Sequence, residues 1–399
     1  MRITSTGLLY DEPERSTPGY LLIRPSEGDS SFLLDPDGEV AHSWTGRIGM
    51  TNWAYLLPNG NLFVNERCAN RKGVALTVSG RMAEYDKAGS LIWAHEDPYQ
   101  HHDAKRLANG AIYAAFTELD DQEKTAIQGG VPGTESEGGP FGEVIRQVDE
   151  TGTVVWEWHF SQLGYDTHPL HRNANRWSYG HTNTVLPLAD GRILVSSKNL
   201  CLLFIIDPAT DEVVWKYQND EMGGQHDAQL LDNGNILIFA NGAYSRDLHH
   251  SQVWEINPAT NEIEWCYSAR DNMTSFFSPH MGGAERLPGG NTLICEGNKG
   301  CIFEVTPDGD IVREFVSPHF VKSDQFGWHN WLFRARWYAP DSPEIRAYSA
   351  SSDRISRGFH GQGRLDAGAL LFPDCHLRVQ GAADTRRERR GFHPPCPRP

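Results

Sequence analysis

Short apolar segments with alternating polar positions, separated by turn residues, run along the chain from Gly19 to Tyr338. That period of two is the mark of half-buried strands, and each segment is too short for a helix of ordinary length. One element occurs six times: an apolar strand, an Asp- or Asn-led turn, then a strand that ends in an aromatic. It reads Leu34-Asp35-Pro36-Asp37-Gly38 to Trp44, Tyr85-Asp86-Lys87-Ala88-Gly89 to Trp93, and Val148-Asp149-Glu150-Thr151-Gly152 to Trp156. It continues as Ile206-Asp207-Pro208-Ala209-Thr210 to Trp215, Ile256-Asn257-Pro258-Ala259-Thr260 to Trp265, and Val305-Thr306-Pro307-Asp308-Gly309 to Phe315. The aromatic ends fall 49, 63, 59, 50 and 50 residues apart, a spacing that suits one four-stranded unit.

A second element alternates with the first: Leu57-Pro58-Asn59-Gly60, Leu107-Ala108-Asn109-Gly110, Leu188-Ala189-Asp190-Gly191, Leu231-Asp232-Asn233-Gly234 and Leu287-Pro288-Gly289-Gly290. Asn-Gly and Asp-Gly supply the positive φ angles of tight hairpins. Two hairpins per unit, repeated in series, predict an all-β, six-bladed β-propeller over residues 1–340. Five blades are continuous. The sixth is split, with its inner strand near Trp331–Tyr338 and its outer strands from Gly19–Trp44, which closes the ring and removes two sheet edges.

Two stretches break the period. Thr117 to Gly142 is acidic and Gly-rich and reads as a mobile loop on one face. Phe160 to Gly180 carries Asp166, His168, His171 and Arg176 into a histidine-bearing strand and is expected to shape a cleft. From 341 to 399 the texture turns to Ser, Arg, Gly and Pro without strand periodicity, and this tail is expected to be disordered.

Composition narrows the functional classes. The formal net charge of -16 over 399 residues argues against nucleic acid and anionic membranes as partners. No stretch is long and apolar enough to span a membrane, and the first residues lack the apolar core of a secretory signal, so a cytoplasmic location is expected. The seven cysteines have no paired ligand spacing and read as free, mostly buried thiols.

The chemistry lies in the histidines. Counted back from the hairpin glycines, the eighth residue is Asn52, His102, Asn183, His226 or Gly282, and the tenth is Met50, Gln100, His181, Gly224 or His280. Positions two apart share a strand face, so these residues are expected to meet at one mouth of the channel. His329 is expected to begin the sixth inner strand. Such a ring can ligate a transition metal, as in a metal-dependent lyase, or one imidazole can act as nucleophile while the others bind an anion and move protons. Asn183 and Lys198 favour the second, because both are poor metal ligands and good donors to an oxyanion. A non-catalytic binding propeller is a third possibility.

The segment Trp177-Ser178-Tyr179-Gly180-His181-Thr182-Asn183-Thr184, followed by Ile193 to Lys198, resembles a blade of the bacterial arylsulfate sulfotransferases. His101-His102-Asp103 and Gln225-His226-Asp227 resemble the flanking blades, and the likeness runs from about residue 18 to 340. The resemblance implies transfer of a sulfuryl group from an aryl sulfate to a phenol through a sulfohistidine, with no cofactor, no metal and no nucleotide sulfate donor. It implies His226 as nucleophile, His102 and His181 in proton transfer and sulfate contact, and Asn183 and Lys198 as sulfuryl-binding residues. Asn52, His280 and His329 complete the expected substrate-binding set. This chain departs from the family in placing Lys198 where Arg is usual, a point charge instead of a bidentate fork. Family members are generally exported, which the start of this chain does not suggest.

Overall fold

A computed structural model describes residues 5–47, 53–73, 79–245 and 248–355. Six antiparallel sheets follow one another around a central channel. Blade I comprises Ala54–Leu56, Leu62–Arg67, Gly80–Tyr85 and Leu91–Glu96. Blade II comprises Gln100–Leu107, Gly110–Thr117, Gly142–Val148 and Val154–His159. Blade III runs Thr182–Pro187, Ile193–Ser197, Leu202–Asp207, Glu212–Gln218, and blade IV runs His226–Leu230, Ile236–Ala240, Gln252–Asn257, Glu262–Tyr267.

Blade V is Gly283–Arg286, Thr292–Glu296, Cys301–Val305 and Ile311–Val316, with Gly7–Asp11 added as a fifth, outermost strand. Blade VI is the split blade: Leu332–Tyr338 from the end of the domain pairs with Tyr20–Pro25, followed by Ser30–Leu34 and Val40–Thr45. Each blade touches the next through its inner two strands all round the ring, so the chain is a closed six-bladed propeller.

The repeated aromatics have a specific task. Trp44 of blade VI donates its indole N–H to the Asp86 carbonyl in the turn of blade I, at 3.0 Å. Trp93 reaches Glu150 O in blade II at 3.3 Å, and Trp156 reaches Asp211 Oδ1 in blade III at 2.8 Å. Trp215 bonds Pro258 O at 2.9 Å and Trp265 bonds Pro307 O at 2.8 Å. Each indole, buried at Trp44 and half-buried at the other four, latches its polar edge to the next blade's turn. Phe315 has no such donor, and at that junction Arg313 donates to the Pro36 carbonyl instead. The apolar cores lie between blades, as in the cluster of Trp158, Phe160, Val185, Val195 and Phe204 between blades II and III.

Both period-breaking stretches are structured where described. The first carries helix α1, Asp121–Ala126, started by a reciprocal cap between Asp120 and Glu123. It then lies along the second stretch, with bridges Gly129 to Leu170 and Phe141 to Ser178. The expected tail opens with helix α2, Pro343–Ile355, and its remainder, 356–399, lies outside the described residues. Ile345 is buried in the cluster of Leu22, Leu33, Trp44, Ala54 and Leu56, so α2 seats over blades VI and I. Among the described residues no helix is long and apolar enough to cross a membrane.

Candidate active site

Three left-handed residues shape the mouth of the channel. His102 has φ 49°, His181 φ 55° and Asp227 φ 55°, conformations that cost a non-glycine residue about 1–3 kcal/mol and persist only where neighbours hold them. At His102 the blade II ladder jumps from His101 opposite Ala114 to Ala104 opposite Tyr113. The bulge turns His102 out of the strand's alternation toward the channel mouth, a common use of bulges near active sites. Asn65 of blade I pins the turn by donating to the His102 carbonyl at 2.9 Å.

His181 is held by a buried carboxylate. Glu143 of blade II accepts the backbone N–H groups of His181 and Thr182 and the hydroxyls of Ser178 and Thr182. The His181 carbonyl accepts from Lys198 N at 3.2 Å. The preceding Gly180 has φ 122°, and a Cβ there would meet Glu143 Oε2 and Phe160 at 3.0 Å, so this close approach requires glycine. Burial pushes the Glu143 carboxyl up to about 7, against the pull of those four donors.

His102, His181 and Lys198 line one cleft of about 460 Å³, together with Asn175, Trp177, Phe326, Trp331 and Phe333. The His102 and His181 rings meet edge-on with centroids 4.6 Å apart. His226 lies just beneath this lining, 1% exposed, its ring 6.0 Å from that of Phe333. Its Nδ1 is 2.7 Å from Asn241 Oδ1. Asn241 donates its amide nitrogen to the carbonyls of Ser278 at 2.6 Å and Met281 at 3.1 Å, so only its oxygen can face His226. That oxygen can only accept. The proton of His226 therefore sits on Nδ1, and Nε2 carries the lone pair.

Burial, with the Lys198 charge second, holds His226 down to about 3 and His181 well below the ordinary imidazole value. His102 is held well below it too, by burial and then His101. All three are neutral at pH 7. The Lys198 ammonium is pushed down to about 8 by burial, and no carboxylate among the described residues comes within ion-pair reach of it. Its stem crosses the neighbouring blade at Gly224, where a Cβ would come within 3.1 Å of Lys198 Cγ. Glu27 also lines the cleft, but among the described residues no ion pair joins it to Lys198, and a neutral imidazole group beside that cation is complementary to an anion.

The other expected residues divide. His280 lines the cleft and bonds Asn298 Nδ2 at 3.0 Å. Asn183 does not reach the cleft. Its side chain is fully buried and donates to Gln225 O of blade IV at 2.7 Å, a tie between blades. His329 ends a separate hairpin, Val321–Ser323 with Gly327–His329, and the sixth inner strand starts later, at Leu332. There its ring stacks on Trp331, centroids 4.6 Å apart, with Nε2 3.8 Å from Glu27. Asn52 and Met50 lie outside the described residues.

The hairpins differ in length: blade II pairs Leu107 directly with Gly110, whereas blade IV pairs Leu230 with Ile236 across a longer turn. His101, next to His102, was missed. It is fully buried, stacks on Phe116 at 4.0 Å, shares a 2.8 Å Nδ1 to Nδ1 contact with His102, and places Nε2 3.9 Å from Glu143. Asn241 was missed as well, although its position after an inner strand matches that of Lys198. Among the described residues no three His, Cys, Asp or Glu side chains form a group able to hold a metal ion.

The arylsulfotransferase (ASST) family model matches residues 79–317, from the third strand of blade I to the end of blade V. The chain belongs to the arylsulfotransferase family. Membership makes it an enzyme of the transferase type, and the matched span holds His102, His181, Lys198, His226 and His280. No curated protein matches the chain. A protein of unknown function from Bacteroides caccae, solved as a crystal structure, is similar at 15% identity and TM-score 0.51, over 80% of this chain and 98% of that one. A putative 6-phosphogluconolactonase from Bacteroides fragilis gives 10% identity and TM-score 0.42, over 82% of this chain and 100% of that one. The β-propeller domain of Cps50 (Swd1) from Myceliophteria thermophila gives 13% and 0.41, over 79% and 89%. The first of these likenesses is one of fold alone.

Proposed function

We propose that this arylsulfotransferase moves a sulfuryl group from an aryl sulfate to a phenolic acceptor by way of a sulfohistidine at His226. The observation that carries the reading is the fixed tautomer of His226. Asn241 holds the proton on Nδ1, leaving the lone pair on Nε2 of a ring on which the Lys198 charge acts. In the first half-reaction Nε2 attacks sulfur, the N–S bond forms, and the S–O bond to the aryl group breaks with its electron pair leaving on the phenolate. In the second, the acceptor phenol loses its proton, its oxygen attacks sulfur, and the N–S pair returns to Nε2.

Charge grows on the leaving oxygen and is redistributed over the sulfuryl oxygens, where a fixed cation is worth most. Lys198 serves there. His102 and His181 are both neutral; His102 shares Nδ1 with His101 and has Nε2 left to offer, while His181 has one donor and one acceptor nitrogen, so the pair can hydrogen-bond the leaving oxygen and take the incoming phenol's proton. Trp177, Phe326, Trp331 and Phe333 give the cleft aromatic walls suited to an aryl group.

The test is steady-state release of 4-nitrophenol from 4-nitrophenyl sulfate with and without added phenol. Acceptor-dependent release with parallel double-reciprocal lines, lost in His226→Asn, is expected. Release that ignores the acceptor, or survives in His226→Asn, contradicts the reading.

A further inference from the structure

Beneath the histidines, the channel is crossed by one side chain from the closing blade. Arg334 lies on Leu332–Tyr338 and is 3% exposed. Its Nη1 is 3.4 Å from Asp103 Oδ1 in blade II, and its Nε is 3.2 Å from Asp227 Oδ1 in blade IV. Its Nη2 donates to the Asn183 carbonyl and, at 3.1 Å, to Thr184 Oγ1 in blade III. Asp103 directly follows His102, Asp227 directly follows His226, and Asn183 stands two residues after His181. One guanidinium therefore joins residues one to three positions after all three histidines, which come from three different blades.

We infer that Arg334 is the positioning residue that sets the mutual placement of His102, His181 and His226. Its Nη2 makes the hydrogen bonds, while Nε and Nη1 lie at ion-pair distance from Asp227 and Asp103 without hydrogen-bonding them, and a lysine amine cannot set all these contacts at once. The carboxylates it binds are otherwise engaged in ways that fix them. Asp103 also accepts from Val185 N of blade III at 2.8 Å and from Lys105 Nζ at 3.0 Å. Asp227 accepts from Arg336 Nη2 at 2.7 Å. Arg334 also packs over Trp53, 4.9 Å from the ring centroid, and Trp53 holds Lys105 at 3.9 Å. Asp227 and His102 both sit at left-handed bulge positions, where a restraint from below matters most.

The same cation faces the imidazoles from below, and its charge adds to burial in holding His102 and His226 neutral. The charged groups packed around it are Asp103 and Lys105 from blade II, Asp227 from blade IV, Glu285 from blade V and Arg336 from blade VI.

The inference rests on His226 as the nucleophile, and the test has an arm that needs no turnover. Imidazole titrations are followed by NMR in the wild type, Arg334→Met and Arg334→Lys, alongside kcat and KM. In Arg334→Met the His102 and His226 midpoints are expected to rise measurably, while burial still holds both below the ordinary imidazole value. In Arg334→Lys they stay within about half a unit of wild type, while kcat falls at least tenfold with KM changed less than threefold. If Arg334→Met does not fold, Arg334→Lys decides alone. Wild-type kcat in Arg334→Lys, or wild-type midpoints in a folded Arg334→Met, overturns the inference. A wild type that transfers no sulfuryl group would sink the reading of function and leave the titration arm to judge Arg334.

Discussion

Lys198 is the residue whose removal should be felt most selectively. Its ammonium is buried with no carboxylate partner among the described residues, and its pKa falls from 10.5 to about 8. That depression corresponds to ~3 kcal/mol of unfavourable charge burial in the empty site. The sign follows from linkage. The folded value lies below the unfolded one, so the penalty is present at neutral pH and is relieved as pH rises from about 8 toward 10.5. A bound anion reverses the shift by pairing the charge. Anion affinity and kcat/KM should therefore both fall above pH 8, with the loss of one proton.

Lys198→Met removes a cation aimed at the transferring group and should lower kcat by ~10²–10³-fold, the usual cost of one such donor. Lys198→Arg keeps the charge at any working pH. Its alkaline limb should move beyond about pH 10 even if its rate at pH 7 differs from wild type. The assay is the pH dependence of kcat/KM from pH 5 to 10, with inhibition by inorganic sulfate measured in parallel. Lys105 is also pushed down to about 8 by burial, but it sits on Asp103 below the site and is untouched by the change. An alkaline limb that stays at pH 8 in Lys198→Arg refutes the assignment.

Three other outcomes follow from the same geometry. Asn241→Leu removes the acceptor that fixes the His226 proton and should lower kcat about tenfold or more at pH 7, with circular dichroism reporting any loss of fold. His101, His102, His181 and His226 all titrate below 6.5 when folded, two of them at about 3, so stability should be lost as pH falls from 6.5 toward 3. Urea midpoints measured at pH 7 and 4.5 check this, and equal midpoints contradict it. Ile345→Ala empties a buried contact under α2 and should cost ~2–5 kcal/mol by denaturant unfolding, whereas a tail detached from the propeller would show no change.

The propeller was legible because each blade repeats the same two turn signatures, and a turn is encoded locally by Asp, Asn, Pro and Gly. The aromatic that closes each repeat was visible too. Its reason was not, because the partner of Trp44 or Trp215 lies on the next blade, more than 40 residues away. The split of blade VI could be read from counting alone, since a closed ring needs its two ends in one sheet.

The site was legible in residue types and less so in register. Hairpin loop length differs between blades II and IV, and the bulge at His102 breaks the alternation that a count along a strand assumes. Asn183 carries the residue type of an oxyanion donor, yet its amide is used between blades. Arg334 comes from beyond the part of the chain where histidines were counted. Helix α2 was hidden by its Ser- and Arg-rich composition, which masks the buried Ile345.

The most direct measurement is the mass of the active-site peptide after rapid mixing with an aryl sulfate, without acceptor, followed by alkaline quench. One sulfuryl group on the peptide containing His226, formed at the rate of the phenol burst and discharged by added phenol, is the expected result. A burst with no modified peptide, or a sulfuryl group on another residue at the same rate, contradicts His226 as the nucleophile.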